Sequence, residues 1–183
     1  MVRKEAIVNQ ISIHPIDLFT PAITPSYAGM LGEAAAVCLE ENCHPPGVVL
    51  DLVGDSNETL LITWRELGEE HVSSYSDLEE ATEYGAYGIA LVAVREFKGK
   101  TAISRSAKGG GFDWWVGDSE DPQTLPFQGK VRLEVSGILR GRPGQLQARL
   151  RQKKKQTDLS DSLGPAIIAI VQFSEPLAHI EAK

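Results

Sequence analysis

Cysteine and methionine are scarce in this 183-residue chain, with two of each. So small a thiol count excludes a disulfide-framework scaffold. Cys38 and Cys43 stand five residues apart around an expected helix end, an awkward spacing for an intrahelical disulfide. Reduced thiols in a cytoplasmic protein are the economical reading. Taken with His44 and His71, the pair fits no zinc-finger or zinc-knuckle spacing. Buried thiols and surface histidines are expected instead. No apolar run reaches the ~20 residues that cross a bilayer, so no membrane segment is expected. Arg3 and Lys4 precede no continuous apolar stretch, which argues against a signal peptide. Internal repeats and low-complexity tracts are missing. So is a Walker loop: Gly109-Gly110-Gly111 leads into Phe112 and Asp113, and no Gly-Lys-Ser/Thr occurs. No Gly-x-Ser-x-Gly elbow supports an α/β-hydrolase.

A net positive charge is missing too. The chain carries −7, which argues against a broadly nucleic-acid-binding surface. The charge is nevertheless polarised. Arg140, Arg142, Arg149, Arg151, Lys153, Lys154 and Lys155 fall within sixteen residues with no acidic residue among them, while 51–83 is acidic. One basic face is compatible with that distribution. The 42% hydrophobic and 23% charged content is that of an ordinary soluble domain with one core.

Patterning supplies the elements. Residues 7–13 alternate as a short strand that His14-Pro15 ends, and Pro15, Pro21 and Pro25 mark an irregular crossing. Ser26 is placed to cap a helix over 27–42, with Met30, Leu31, Ala34, Ala35, Cys38 and Leu39 on one face. Turn residues at 54–58 between apolar runs 48–53 and 59–64 specify a β-hairpin. The box Ser76-Asp77-Leu78-Glu79 opens a helix over 77–97. Its stripe Ala81, Gly85, Gly88 and Val92 implies close packing, expected against a sheet; Glu80, Glu83 and Tyr87 share a flank and can face a site. Strands follow at 101–107 and 112–116, then an acidic loop at 117–129 expected to be exposed. In the strand 130–139, Val131, Leu133 and Val135 point one way and Lys130, Arg132, Glu134 and Ser136 the other. A polar helix over 145–156 follows, with Lys153-Lys154-Lys155 read as its solvated end. After a polar linker, the apolar strand 165–173 reads as buried on both faces. The sum is an α/β (α+β) single domain, 1–183, with a mixed β-sheet flanked by helices.

Asp113 and Glu134 carry the chemistry in this pattern. Carboxylates on neighbouring strands can converge on a hard cation, which needs oxygen ligands from separate elements. From 77 to 173, the order of helix, strand with Asp, strand with Glu, helix and strand resembles the PD-(D/E)XK nuclease-like superfamily. The resemblance implies a restriction-endonuclease-like core over 76–175, with 1–75 as an N-terminal helix and hairpin extension. It also implies that Asp113, Glu134 and Glu83 (or Glu80) hold Mg²⁺ or Mn²⁺. Asp113, Glu134 and Ser136 would form the catalytic set; Arg132, Arg149 and Lys153 would contact nucleic-acid phosphates. Gln145, Gln147 or Gln152 would lend a polar group. The chain departs from the pattern at Phe112, where Pro is usual, and at Ser136, where Lys is usual. Lys130 and Lys153 are the lysines placed to substitute from neighbouring elements, but feeble or absent turnover is expected, because Ser136 cannot supply the positive charge that Lys would. Two functions follow: metal-dependent phosphodiester hydrolysis, or a non-catalytic module on the same scaffold. In the second, Phe112, Trp114 and Trp115 would form a surface for a ligand, a protein partner or a second copy, with at least one tryptophan exposed.

Overall fold

The most apolar segment of the chain lies inside the sheet, where every position is buried. In a computed structural model describing residues 9–14, 22–118 and 129–183, the strands are β1 (Asn9–His14), β2 (Val48–Gly54), β3 (Glu58–Trp64), β4 (Lys100–Arg105), β5 (Trp114–Asp118), β6 (Val131–Ile138), β7 (Ala166–Gln172) and β8 (Leu177–Ala182). They form one mixed sheet in the order β1-β3-β2-β8-β7-β6-β5-β4. The helices are α1 (Pro25–Glu40), α2 (Glu69–Ser74), α3 (Leu78–Lys98) and α4 (Gln145–Thr157), and a 3-10 turn covers Asp158–Leu163. No described helix is long and apolar enough to cross a membrane.

β7 pairs parallel with β6 and antiparallel with β8, and all its residues are buried. Its Ile167, Ala169 and Val171 join the larger core with α1 and α3; Ile168 and Ile170 meet Leu146 and Leu150 of α4 on the opposite face. The alternation expected of β6 holds: Leu133 and Val135 enter the larger core, leaving Arg132, Glu134 and Ser136 for the α4 face. β8 and α2 were not anticipated. β8 matters more, because it pairs with β2 as well as β7 and ties the N-terminal hairpin into the same sheet.

Helix starts differ in detail from the sequence reading. Thr24, not Ser26, caps α1, accepting the Tyr27 amide, with Pro25 in the first turn. Asp77 caps α3, its Oδ1 accepting the amides of Glu79 and Glu80. The glycine stripe of α3 meets a helix rather than the sheet. A Cβ on Gly85 would lie 2.9 Å from Ala35 Cα, and one on Gly88 would lie 3.0 Å from the Leu31 carbonyl oxygen. Close approach to the sheet occurs instead at Gly137, where a Cβ would lie 2.5 Å from the Thr82 carbonyl oxygen. α3 therefore sits between α1 and β6, held close to both by residues without side chains. Cys38 is buried and Cys43 exposed, both as free thiols; burial pushes the Cys38 thiol up to about 12. The loop 117–129 falls largely outside the described residues, as do 7–8 and 15–21.

Candidate active site

α4 lies along β6, and the two periods nearly match. Two strand residues advance roughly 6.6 Å and four helix residues roughly 6 Å. Even-numbered side chains of β6 therefore meet α4 in antiparallel order. Ser136 Oγ accepts from Arg149 at 2.7 Å, Glu134 Oε1 from Lys153 Nζ at 2.5 Å, and the Thr157 carbonyl from Arg132 at 2.9 Å. This register decides which polar residues share a site.

Asp113 arrives from the other side of β6. Gly109 and Gly111 take φ values of 87° and 76°, a left-handed region that favours glycine, and the Gly110 amide donates to the Ala107 carbonyl. The glycine run is thus the turn that returns the chain from β4 into β5. Pairing of β5 with β6 ends at Trp114 and Leu133. One residue earlier, the Asp113 amide still donates to the Leu133 carbonyl at 2.9 Å. Its side-chain Oδ2 then accepts the Val135 amide at 2.8 Å, taking the place a departing strand would have filled. Oδ1 accepts from Tyr87 of α3 at 2.9 Å.

The two carboxylates consequently lie close enough to share a proton. Burial pushes the Glu134 carboxyl up to about 7, and the Asp113 charge adds to the rise while Lys153 opposes it. Glu134 is 1% exposed. Its Oε2 is buried and, with both groups ionised, meets no hydrogen-bond donor among the described residues. The Tyr87 hydroxyl is also 2.8 Å from Glu83 Oε1, so one phenolic proton faces two acceptors. Burial, then Asp113, hold that phenol far above its ordinary value, and Arg105 lies 4.4 Å from the ring centroid.

These groups line a cleft of about 500 Å³ between α3 and α4. One wall carries Glu79 and Glu83, the other Gln145, Arg149, Lys153 and Gln156, with Asp113, Glu134 and Ser136 at the base. Most of the expected site residues therefore converge. Two do not take their expected parts. Arg132 is 1% exposed and cannot contact a phosphate: it donates to Thr157, Ser160, Asp161 and Gly164, closing the 3-10 turn over the sheet. Glu83 lines the cleft but reaches Asp113 only through Tyr87. Among the described residues, no three His, Cys, Asp or Glu side chains are grouped to hold a metal.

The lysine run is not simply a solvated helix end. Lys153 pairs with Glu134 and Lys154 with Glu181, leaving Lys155 exposed. Lys130, Gln147 and Gln152 do not line the cleft. Gln156 and Thr82 line it without having been singled out, and Arg140 of the basic cluster joins them; Gln156 lies three residues beyond Lys153 in α4, but selecting it needed the α4–β6 register. Phe112, Trp114 and Trp115 are all buried, so the exposed tryptophan expected of an aromatic docking surface is not found. Trp114 packs against Tyr27 and Tyr87 in the core, and Trp115 against Phe112.

Compared with known proteins, the chain matches no family model, no curated protein and no solved structure.

Proposed function

We propose that this cleft hydrolyses phosphodiesters with the help of a divalent cation. The observation that carries the reading is the buried, donor-free Oε2 of Glu134 beside Asp113, with Lys153 Nζ on the other oxygen. A carboxylate oxygen kept from water without a donor suits a cation better than it suits a structural role. Two carboxylates are enough for Mg²⁺ or Mn²⁺ in such a site. Mg²⁺ keeps several waters and is commonly held by one or two carboxylates plus substrate phosphate. Asp113 and Glu134 would hold it, and Glu83 would act only on Asp113, by way of the Tyr87 hydroxyl.

Such a cation supplies Lewis acidity and offsets the negative charge that develops on the phosphoryl group. The chain's own residues do the rest. Lys153 and Arg149 present N–H donors from α4 to the phosphate oxygens, and Ser136 fixes the Arg149 guanidinium. Lys153 places the cationic charge beside Glu134 that Ser136 cannot supply, so turnover need not be feeble. With Asp113 and Glu134 committed to the cation, the attacking water forms the new phosphorus–oxygen bond as the ester bond breaks, and its proton passes by way of solvent to the departing alkoxide oxygen. The nuclease-like relationship rests on element order and on these residues alone.

The test is incubation of the protein with single- and double-stranded DNA and RNA in Mg²⁺ or Mn²⁺. Cleavage should vanish in Asp113→Ala and fall by about 100-fold in Lys153→Ala. No cleavage of any polynucleotide, together with no Mn²⁺-dependent change in melting temperature, would remove this reading in favour of a non-catalytic module.

A further inference from the structure

We propose that the polynucleotide taken by this cleft is single-stranded, an inference that rests on the hydrolytic reading above. The argument begins with depth. Glu134 is 1% exposed and its Oε2 is buried, so a phosphate that meets this carboxylate must descend between α3 and α4. The cleft, at about 500 Å³, is the size of a small-ligand site. A single strand can descend there alone, whereas in a duplex the second backbone comes with the first, across a groove of about 6–12 Å.

Charge points the same way. The α3 wall carries Glu79 and Glu83 and would repel a second strand, while the cationic side chains Arg140, Arg149 and Lys153 come from α4 and the loop before it. That cationic wall continues outward. Arg140 and Gln145 belong both to the cleft and to an adjoining shallow groove of about 510 Å³ that also contains Arg142. Arg142 is exposed, and no carboxylate of the described residues forms an ion pair with it. Lys154, Lys183 and Arg132, by contrast, are engaged with Glu181, Asp158 and Asp161. Arg140 is held by Glu41 and Lys153 by Glu134, so among the described residues of the cleft and its groove the cations with no carboxylate partner are Arg149 inside and Arg142 at the rim, both on one side. A single track opposite an acidic wall fits one backbone. With the net charge of −7, nothing else in the composition favours a second.

Fluorescence anisotropy of the whole protein in EDTA, with fluorescein-labelled dodecamers of single-stranded DNA, single-stranded RNA and duplex DNA, tests this. The two single strands also show which sugar is preferred. At least one of them should bind about tenfold more tightly than the duplex, with a salt slope of about −2 from roughly three phosphate contacts. Arg142→Glu, at an exposed position, should weaken that binding about fivefold with an unchanged circular dichroism spectrum. Duplex binding as tight as single-strand binding, or an Arg142→Glu variant with wild-type affinity, would overturn the inference while leaving hydrolysis intact. Failure to bind or cleave any polynucleotide would overturn both.

Discussion

Replacing Glu134 by Gln separates what this carboxylate costs the fold from what it does. Burial and Asp113 raise its carboxyl from 4.5 to about 7. The folded chain thus holds a proton that the unfolded chain releases. With folded affinity for the proton raised, stability falls as pH climbs from about 4.5 to about 7 and stays reduced above. That rise is equivalent to roughly 3 kcal/mol at pH 8. Gln cannot ionise, and its carbonyl still accepts from Lys153; the ion pair it gives up is already counted in that rise, which Lys153 opposes. The variant should therefore be more stable than wild type by about 3 kcal/mol at pH 8, or about 6–12 °C in melting temperature for a domain of this size. At pH 3, where Glu134 is protonated in both the folded and the unfolded chain, the gain should disappear. Thermal melts of both proteins from pH 3 to pH 8 isolate Glu134 and the Asp113 carboxylate coupled to it, since the titrations of groups away from this pair are common to both proteins. A melting difference independent of pH would refute the reasoning, because it would mean that Glu134 ionises in the fold as easily as in water. Cleavage by the variant should be lost at every pH, the usual opposition between stability and function at a site.

Two further substitutions test the frame that holds the site. Arg132→Leu should destabilise by about 3–5 kcal/mol in urea denaturation, since the buried Thr157 carbonyl and the half-buried Gly164 carbonyl lose their donor. Arg132→Lys should recover only part of this, because an ammonium cannot reproduce the fork; full recovery would show that charge alone suffices. Gly85→Ala should destabilise by about 1–3 kcal/mol, despite a gain in helix propensity of about 1 kcal/mol, because its Cβ meets the α1 backbone. A higher melting temperature would mean that α1 and α3 can part without cost.

Local patterning carried the β2–β3 hairpin, α1, α3, β6 and β7, because each has a strong period or a cap of its own. It missed β8, whose short run Leu177–Ala182 includes His179 and Glu181 and acquires its place only by pairing with β2 and β7. The glycine stripe of α3 was visible, but the partner was not: a lack of side chains declares close approach and says nothing about what approaches. The site shows the same division. Alternation placed Arg132, Glu134 and Ser136 together on one face of β6, and that was sound. Which end of the row opens into a cleft depends on where α4 stops and the 3-10 turn closes. That closure buries Arg132, while Glu134 and Ser136 line the cleft. Lys130 and Lys153 were both legible as lysines near this face; that Lys153 is the one beside Glu134 follows from the register of α4 against β6, a tertiary quantity.

Arg132 and Glu134 are neighbours on one strand face, both buried, both charged, and they differ in one respect that bears on function. All three guanidinium nitrogens of Arg132 find acceptors, as expected of a buried ion retained for structure. Glu134 has one oxygen on Lys153 and the other without a donor, beside a second carboxylate. A chain of this size is stable by only about 5–15 kcal/mol, so a liability of roughly 3 kcal/mol is a large fraction of the total. The α4–β6 packing satisfied Arg132 completely, and a polar side chain at the open position could have done the same for Glu134. An unmet demand for positive charge, at the base of a cleft walled by Lys153 and Arg149, is what a cation and a phosphate would together fulfil.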